Sequence, residues 1–134
     1  MLSRKGGLLR GFNTYFFEFL DTAASFFPEN ADIRTARTSA DMLKRANPTV
    51  IVKAWHAHLA VPYAQEILQN NFDFFAEKDY RTDMQHFDCD SSAILEIIDE
   101  LRGALRNASE EQKIVLLEFI QRLSALSTNY INEF

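Results

Sequence analysis

Three histidines and one cysteine are the side chains in this chain best suited to bind a transition metal, and their spacing sets the first question. His86-Phe87-Asp88-Cys89 has a ligand-like separation and His56-Ala57-His58 adds two nitrogens, so a zinc site, and with a nearby carboxylate a metal-dependent enzyme, can be assembled on paper. Residues two apart on a helix point about 200° away from each other, so an intact helix through His56 and His58 keeps them from sharing one ion. The simpler reading places His58 on or beside the face of Trp55, His56 in solvent and Cys89 as a small residue near a helix start. Asp88-Cys89-Asp90 opens like a calcium loop, but Ala93 stands where such a loop requires glycine, and Asp99 where a bidentate glutamate is usual.

Nucleophilic chemistry needs a Ser, Cys or Thr beside an oriented base, and none here sits in a glycine-flanked elbow. Gly6-Gly7 has no strand before it and no Gly-Lys-Ser/Thr after it, so it is not a phosphate loop. Glu96 with Glu100, and Asp99 with Arg102 and Arg106, are neighbours on one helix face, the pattern of a solvated surface. The reading is therefore a non-enzymatic protein with no catalytic residue, cofactor or metal.

Any site must be positioned by helices. The chain has 134 residues, 47% of them hydrophobic, enough for one domain and its core. Four glycines and three prolines supply too little turn chemistry for many hairpins. Phe12, Phe16, Phe19, Ala23 and Phe26 recur at spacings of four and three, which predicts a first helix ending at Pro28-Glu29-Asn30. Ile33, Ala36, Ala40 and Leu43 mark a second, capped by Asn30 or Asp32 and stopped at Asn47-Pro48. A third starts there, with Asn47 as cap, Pro48 at the first helical position, and Ile51, Trp55 and Leu59 along one face. Pro62 interrupts it at Val61, so Tyr63 to Leu68 forms either a separate short helix or a kinked continuation. A short helix near 72–78 and a long loop follow, then an amphipathic helix through Ile94, Ile97, Ile98, Leu101 and Leu105, in which Gly103 costs roughly 1 kcal/mol. The last helix begins at Ser109, paired with Gln112 in a capping box, and its apolar residues Ile114, Leu117, Phe119, Ile120, Leu123, Leu126 and Tyr130 wrap more than one face. The fold class expected is all-α, a single-domain orthogonal bundle of five to six helices over residues 1–134.

A single cysteine excludes an internal disulfide and fits a reducing compartment. The basic start of the chain runs into apolar residues broken by Arg10, Asn13 and Glu18, so neither a signal peptide nor a membrane span is expected. Charge is uneven: residues 1–56 hold eight Lys or Arg against five Asp or Glu, and residues 57–134 six against fourteen. Nine of those acids fall between Asp73 and Glu100, a surface that repels phosphates. A nucleic-acid role would use the basic ridge of Arg34, Arg37, Lys44, Arg45 and Lys53, whose plainer reading is an ordinary solvated face. Twelve phenylalanines, four tyrosines and one tryptophan exceed what the helical stripes require. Phe17 lies off the main stripe, and Phe72, Phe74, Phe75, Tyr80 and Phe87 crowd a short acidic stretch, where they either pin a loop to the core or offer a protein-binding surface.

The order of these signals, an aromatic first helix, Phe27-Pro28-Glu29-Asn30, Asn47-Pro48, Trp55, Pro62-Tyr63, Ile67 and Phe74-Phe75, resembles a family of small helical proteins encoded by large nucleocytoplasmic DNA viruses of algae and protists. The resemblance covers most of the chain and implies an origin without an established activity. Taken with the crowded aromatics and the lack of a catalytic motif, the expected role is a protein-interaction module, virion-associated or a minor capsid component, in the host cytoplasm or nucleus or in the virion. Its partner would be a viral structural protein or a host factor such as a cell-death regulator, with oligomerisation left open.

Overall fold

The computed structural model describes residues 4–61, 64–69, 97, 99 and 106–133. These are helical apart from short turns, and no strand occurs among them. Helix α1, Arg4–Phe26, is about 34 Å long at the usual rise per residue and buries Phe12, Phe16, Phe19, Leu20 and Ala23 along the stripe expected from their spacing. It stops where Pro28 follows: Phe27 N–H still reaches Ala23 O at 3.1 Å, and Asn30 N–H turns back to Phe27 O at 3.0 Å. Asn30 then caps α2, Ala31–Ala46, its Oδ1 accepting from the backbone N–H groups of Asp32 (2.9 Å) and Ile33 (3.3 Å). Of the two candidate caps, Asn30 therefore holds the position and Asp32 lies in the first turn, where its charge suits the helix dipole. Two of the three buried α2 residues are alanines, Ala36 and Ala40, small enough to let α2 lie close against its neighbours.

The start of α3 differs from expectation. Helix α3 is Val50–Trp55, with Thr49 as its N-cap; Asn47 is the C-cap of α2, and Pro48 lies in the connecting turn. The cause is local, because Asn47 Oδ1 accepts from both Thr49 N–H (3.1 Å) and Thr49 Oγ1–H (2.8 Å), closing a turn of its own, and Val50 N–H reaches Asn47 O at 3.2 Å. At its far end α3 runs directly into a π-helical turn, His56–Ala60, in which Val61 N–H donates to His56 O at 3.1 Å, five residues back. The sequence offers a reason: Pro62 has no N–H for His58 O, and its ring would collide with that carbonyl in a regular α-helix, so the chain widens one turn earlier. Helix α4, Ala64–Leu68, follows; the junction at 62–63, where a separate helix and a kinked continuation differ, lies outside the described residues.

The final helix, α5, spans Glu110–Asn132. Its capping box forms as read from the sequence: Ser109 Oγ accepts from Gln112 N–H at 3.2 Å and Gln112 Oε1 from Ser109 N–H at 2.9 Å. It runs antiparallel to α1, since Arg4 pairs with Glu133 at 3.1 Å and Lys5 Nζ lies 5.0 Å from the Tyr130 ring centre, while Phe19 meets Phe119 with centroids 5.7 Å apart. Leu116, Leu117, Ile120, Leu123 and Tyr130 are buried, but Ile114, expected among the core residues, is 69% exposed. Ile114 stands near the helix start, six residues before Ile120 and so about 120° round the helix from it on a 3.6-residue period, off the buried face. Of the expected helix through residues 94–105, Ile97 is helical and buried in the core; the readings for 70–96 and 100–105 lie outside the described residues.

Trp55 is the hub of this core. Its indole is fully buried and meets Phe12, Phe16 and Phe19 edge-on at centroid distances of 6.3, 6.1 and 6.4 Å. The N–H that burial strips of water donates to Ser124 Oγ at 3.0 Å, and Ser127 Oγ in turn donates to Ser124 O at 2.8 Å. Three sequence-distant elements, α1, α3 and α5, thus meet at one side chain.

Two consequences can be measured by urea unfolding. Trp55→Phe and Ser124→Ala should each lose about 1–3 kcal/mol, because each leaves a buried polar partner stranded or a gap. The double variant should lose clearly less than the two losses combined, and strict additivity would contradict the bond. Gly11 sits in mid-α1, exposed, and a Cβ added there meets nothing within 4 Å, so Gly11→Ala should stabilise by about 0.5–1 kcal/mol.

Candidate functional site

Phe17 lies on α1 away from Trp55, and its surroundings explain why. It is half-buried, packs edge-on to Phe16 at 5.9 Å, and faces α2. Two α2 cations seven residues apart, hence on one face of that helix, close over it: the Arg37 guanidinium carbon is 5.3 Å and Lys44 Nζ 5.1 Å from the ring centre. Arg37 is held further by Asp21 of α1, Nε to Oδ1 at 2.6 Å. Around this ring lies an open hollow of about 410 Å³, lined by Arg10, Asn13, Phe17, Asp21, Arg37 and Lys44, with Thr14, Glu18 and Asp41 completing its wall.

Asn13 ties the hollow to the core. It is 8% exposed, and its Nδ2 donates to Pro48 O at 3.0 Å, fastening α1 to the turn before α3. Its Oδ1 is shut off from solvent and has no hydrogen-bond partner, an unmet acceptor in the wall. The charges of the wall are unequally matched. Asp21 is taken by Arg37 and Asp41 by Arg45, at 3.0 Å, while among the described residues neither Lys44 nor Arg10 is ion-paired. The hollow therefore presents cations held against an aromatic floor and edged by carboxylates, an arrangement for binding and orienting a polar group.

The five residues of the expected basic ridge do not form a uniform strip. Arg34 Nη1 donates to Pro28 O at 2.7 Å and so helps close the α1–α2 turn, Arg45 pairs along its own helix with Asp41, and Lys53 lies exposed on α3. Only Arg37 and Lys44 come together, and they do so on Phe17. His56 departs from its expected place in solvent: it is half-buried, with Nδ1 enclosed and without a hydrogen-bond partner, because the π turn begins at this residue and packs against α5. His58 is half-buried two residues on, beside buried Leu59. Among the described residues no three His, Cys, Asp or Glu side chains group as a metal site would need. His86 and Cys89, and the aromatic candidates Phe72, Phe74, Phe75, Tyr80 and Phe87, lie outside the described residues.

Sequence reading singled out Arg37, Lys44 and the off-stripe Phe17 separately without joining them. The i, i+7 spacing does put the two cations on one face of α2, but only the packing of α1 against α2 brings Phe17 beneath them. No protein-family model, curated protein or solved structure matches this chain. No helix among the described residues is long and apolar enough to cross a membrane.

The Arg37–Asp21 pair is roughly half exposed on both sides, so it should contribute little to stability. Arg37→Gln is expected to change the unfolding free energy by less than about 1 kcal/mol in a denaturant titration. A loss of several kcal/mol would make the pair a structural strut and remove it from consideration as a binding group.

Proposed function

We propose that this protein is a non-catalytic helical interaction module that recognises a protein partner through the α1–α2 hollow. The observation that carries this reading is the clamp of Arg37 and Lys44 on Phe17. It holds two long, ordinarily mobile cations in place before any ligand arrives, which lowers the ordering cost of binding. Arginine and aromatic side chains gathered in one partly desolvated spot are also what protein-binding hot spots are made of. The wall carboxylates Glu18, Asp21 and Asp41 disfavour the alternative of a nucleic-acid backbone, which needs several adjacent phosphates neutralised at once.

The proposed architecture around this site is one domain, an orthogonal bundle of five to six helices. The proposed setting is a large DNA virus, inside the host cell or in the virion as a virion-associated or minor capsid component. That setting rests on the motif order from Phe27-Pro28 through Asn47-Pro48 and Trp55 to Phe74-Phe75, and a host cell-death or other host factor is the partner that would replace a structural one.

Amine-directed crosslinking in the native context, followed by mass spectrometry, tests the site. A partner should be joined reproducibly through Lys44, and Phe17→Ala should abolish that link while circular dichroism stays helical. Crosslinks spread evenly over Lys5, Lys53 and Lys113, or unaffected by Phe17→Ala, would contradict it.

A further inference from the structure

We infer that the hollow takes an isolated carboxylate side chain of a partner peptide, flanked by hydrogen-bond donors. This rests on the interaction-module reading and names the chemistry of the partner. Of the three carboxylates in the wall, two are already occupied by arginines, at 2.6 Å for Asp21 with Arg37 and 3.0 Å for Asp41 with Arg45. What remains to meet a ligand is Lys44, Arg10 and Glu18, together with the part of the Arg37 guanidinium beyond the Nε that Asp21 holds. Two cations and one carboxylate leave the site one positive charge in excess, with an acceptor beside it.

That balance selects among anions. A carboxylate between Lys44 and the outer nitrogens of Arg37 gains charge-assisted hydrogen bonds from donors already fixed on the Phe17 ring. Glu18, exposed on α1 one residue beyond Phe17, is left to accept from a backbone N–H or a basic neighbour of the same peptide. A run of acids or phosphates would instead set negative groups against Glu18, Asp21 and Asp41, and like charges at such range cost binding energy. The volume, about 410 Å³, suits one side chain with its adjoining backbone and is at the small end for a ligand cleft.

The test is a titration followed by ¹H–¹⁵N correlation spectra, using a capped octapeptide with one central glutamate. Its partners are the same peptide with glutamine, an all-glutamate octapeptide, free glutarate, and a twelve-nucleotide oligo-dT. The single-glutamate peptide should shift resonances around Phe17, Arg37 and Lys44, and the glutamine peptide should bind about tenfold more weakly, the loss expected for one charge-assisted contact. Lys44→Gln should weaken binding by a similar factor, and Lys44→Met, which keeps the apolar stem over Phe17, should do the same while leaving the melting curve in place. The proposal is overturned if glutamine binds as well as glutamate, if glutarate matches the peptide, or if the all-glutamate peptide or oligo-dT binds more tightly with a steep salt dependence. Absence of any shift at about 5 mM peptide, a concentration that would reveal even millimolar affinity, also overturns it. In that last case a surviving Lys44 crosslink to a partner would show that the hollow binds protein by other chemistry, whereas loss of both would end the interaction reading itself.

Discussion

An indole that is wholly buried must find an acceptor for its N–H, and Trp55 finds one on a helix 69 residues away in the chain. This bond fixes the rotation of α5 as well as its distance, because Ser124 is held in turn by Ser127 and both are buried on the face that looks at α1 and α3. Three phenylalanines of α1 then press their edges on the same indole, so α1 cannot slide along α3 without breaking aromatic contacts made every turn, and Tyr15 and Phe19 hold it to α5 through Phe119. The α2 helix is set by a different device. It enters through the Asn30 cap, lies on the core through Ile33 and two alanines, and is stitched to α1 at its rim by Arg37 with Asp21 and by the cations on Phe17.

The site inherits its geometry from that division. Phe16 and Phe17 are adjacent in sequence and point to different sides of α1, one into the Trp55 cluster and the other toward α2. A rigid core on one side of α1 thus holds an aromatic platform on the other, and Asn13, bonded to Pro48 O, prevents α1 from rotating away from the turn that follows α2. The carboxylates and cations around the platform belong to exposed helix faces, where each pair adds little to stability, so they are at liberty to serve recognition.

Much of this was legible in the residues and some was not, for physical reasons. The stripes of α1 and α2 were readable because burial of one helix face imposes a 3.6-residue period, and the Ser109–Gln112 box because it is a local pairing of fixed spacing. The π turn at His56–Ala60 was not, since a proline says that regular bonding must fail near it but not how the chain yields. His56 was misplaced for that reason. Nor did Ile114 announce its exposure: hydrophobic type alone does not distinguish the buried face of α5 from its other faces. The hidden roles of Asn13, Ser124 and Ser127 went unread because a polar residue on an apolar stripe looks like noise until its partner, 35 or 69 residues away for Asn13 and Ser124, is in view. The Phe17 clamp required the same long-range knowledge, a contact between two helices that neither one's sequence contains.

Trp55 is the chain's one tryptophan, so its indole N–H gives a single resolvable proton signal. Its exchange with deuterated water is the most direct probe of the core described here. If Ser124 holds it in a sealed aromatic cluster, the signal should persist as long as the slowest backbone amides of α1 and α5, decaying only with global unfolding. Disappearance within the dead time, while those amides remain protected, would mean that water reaches the ring and that the helices are not assembled around it.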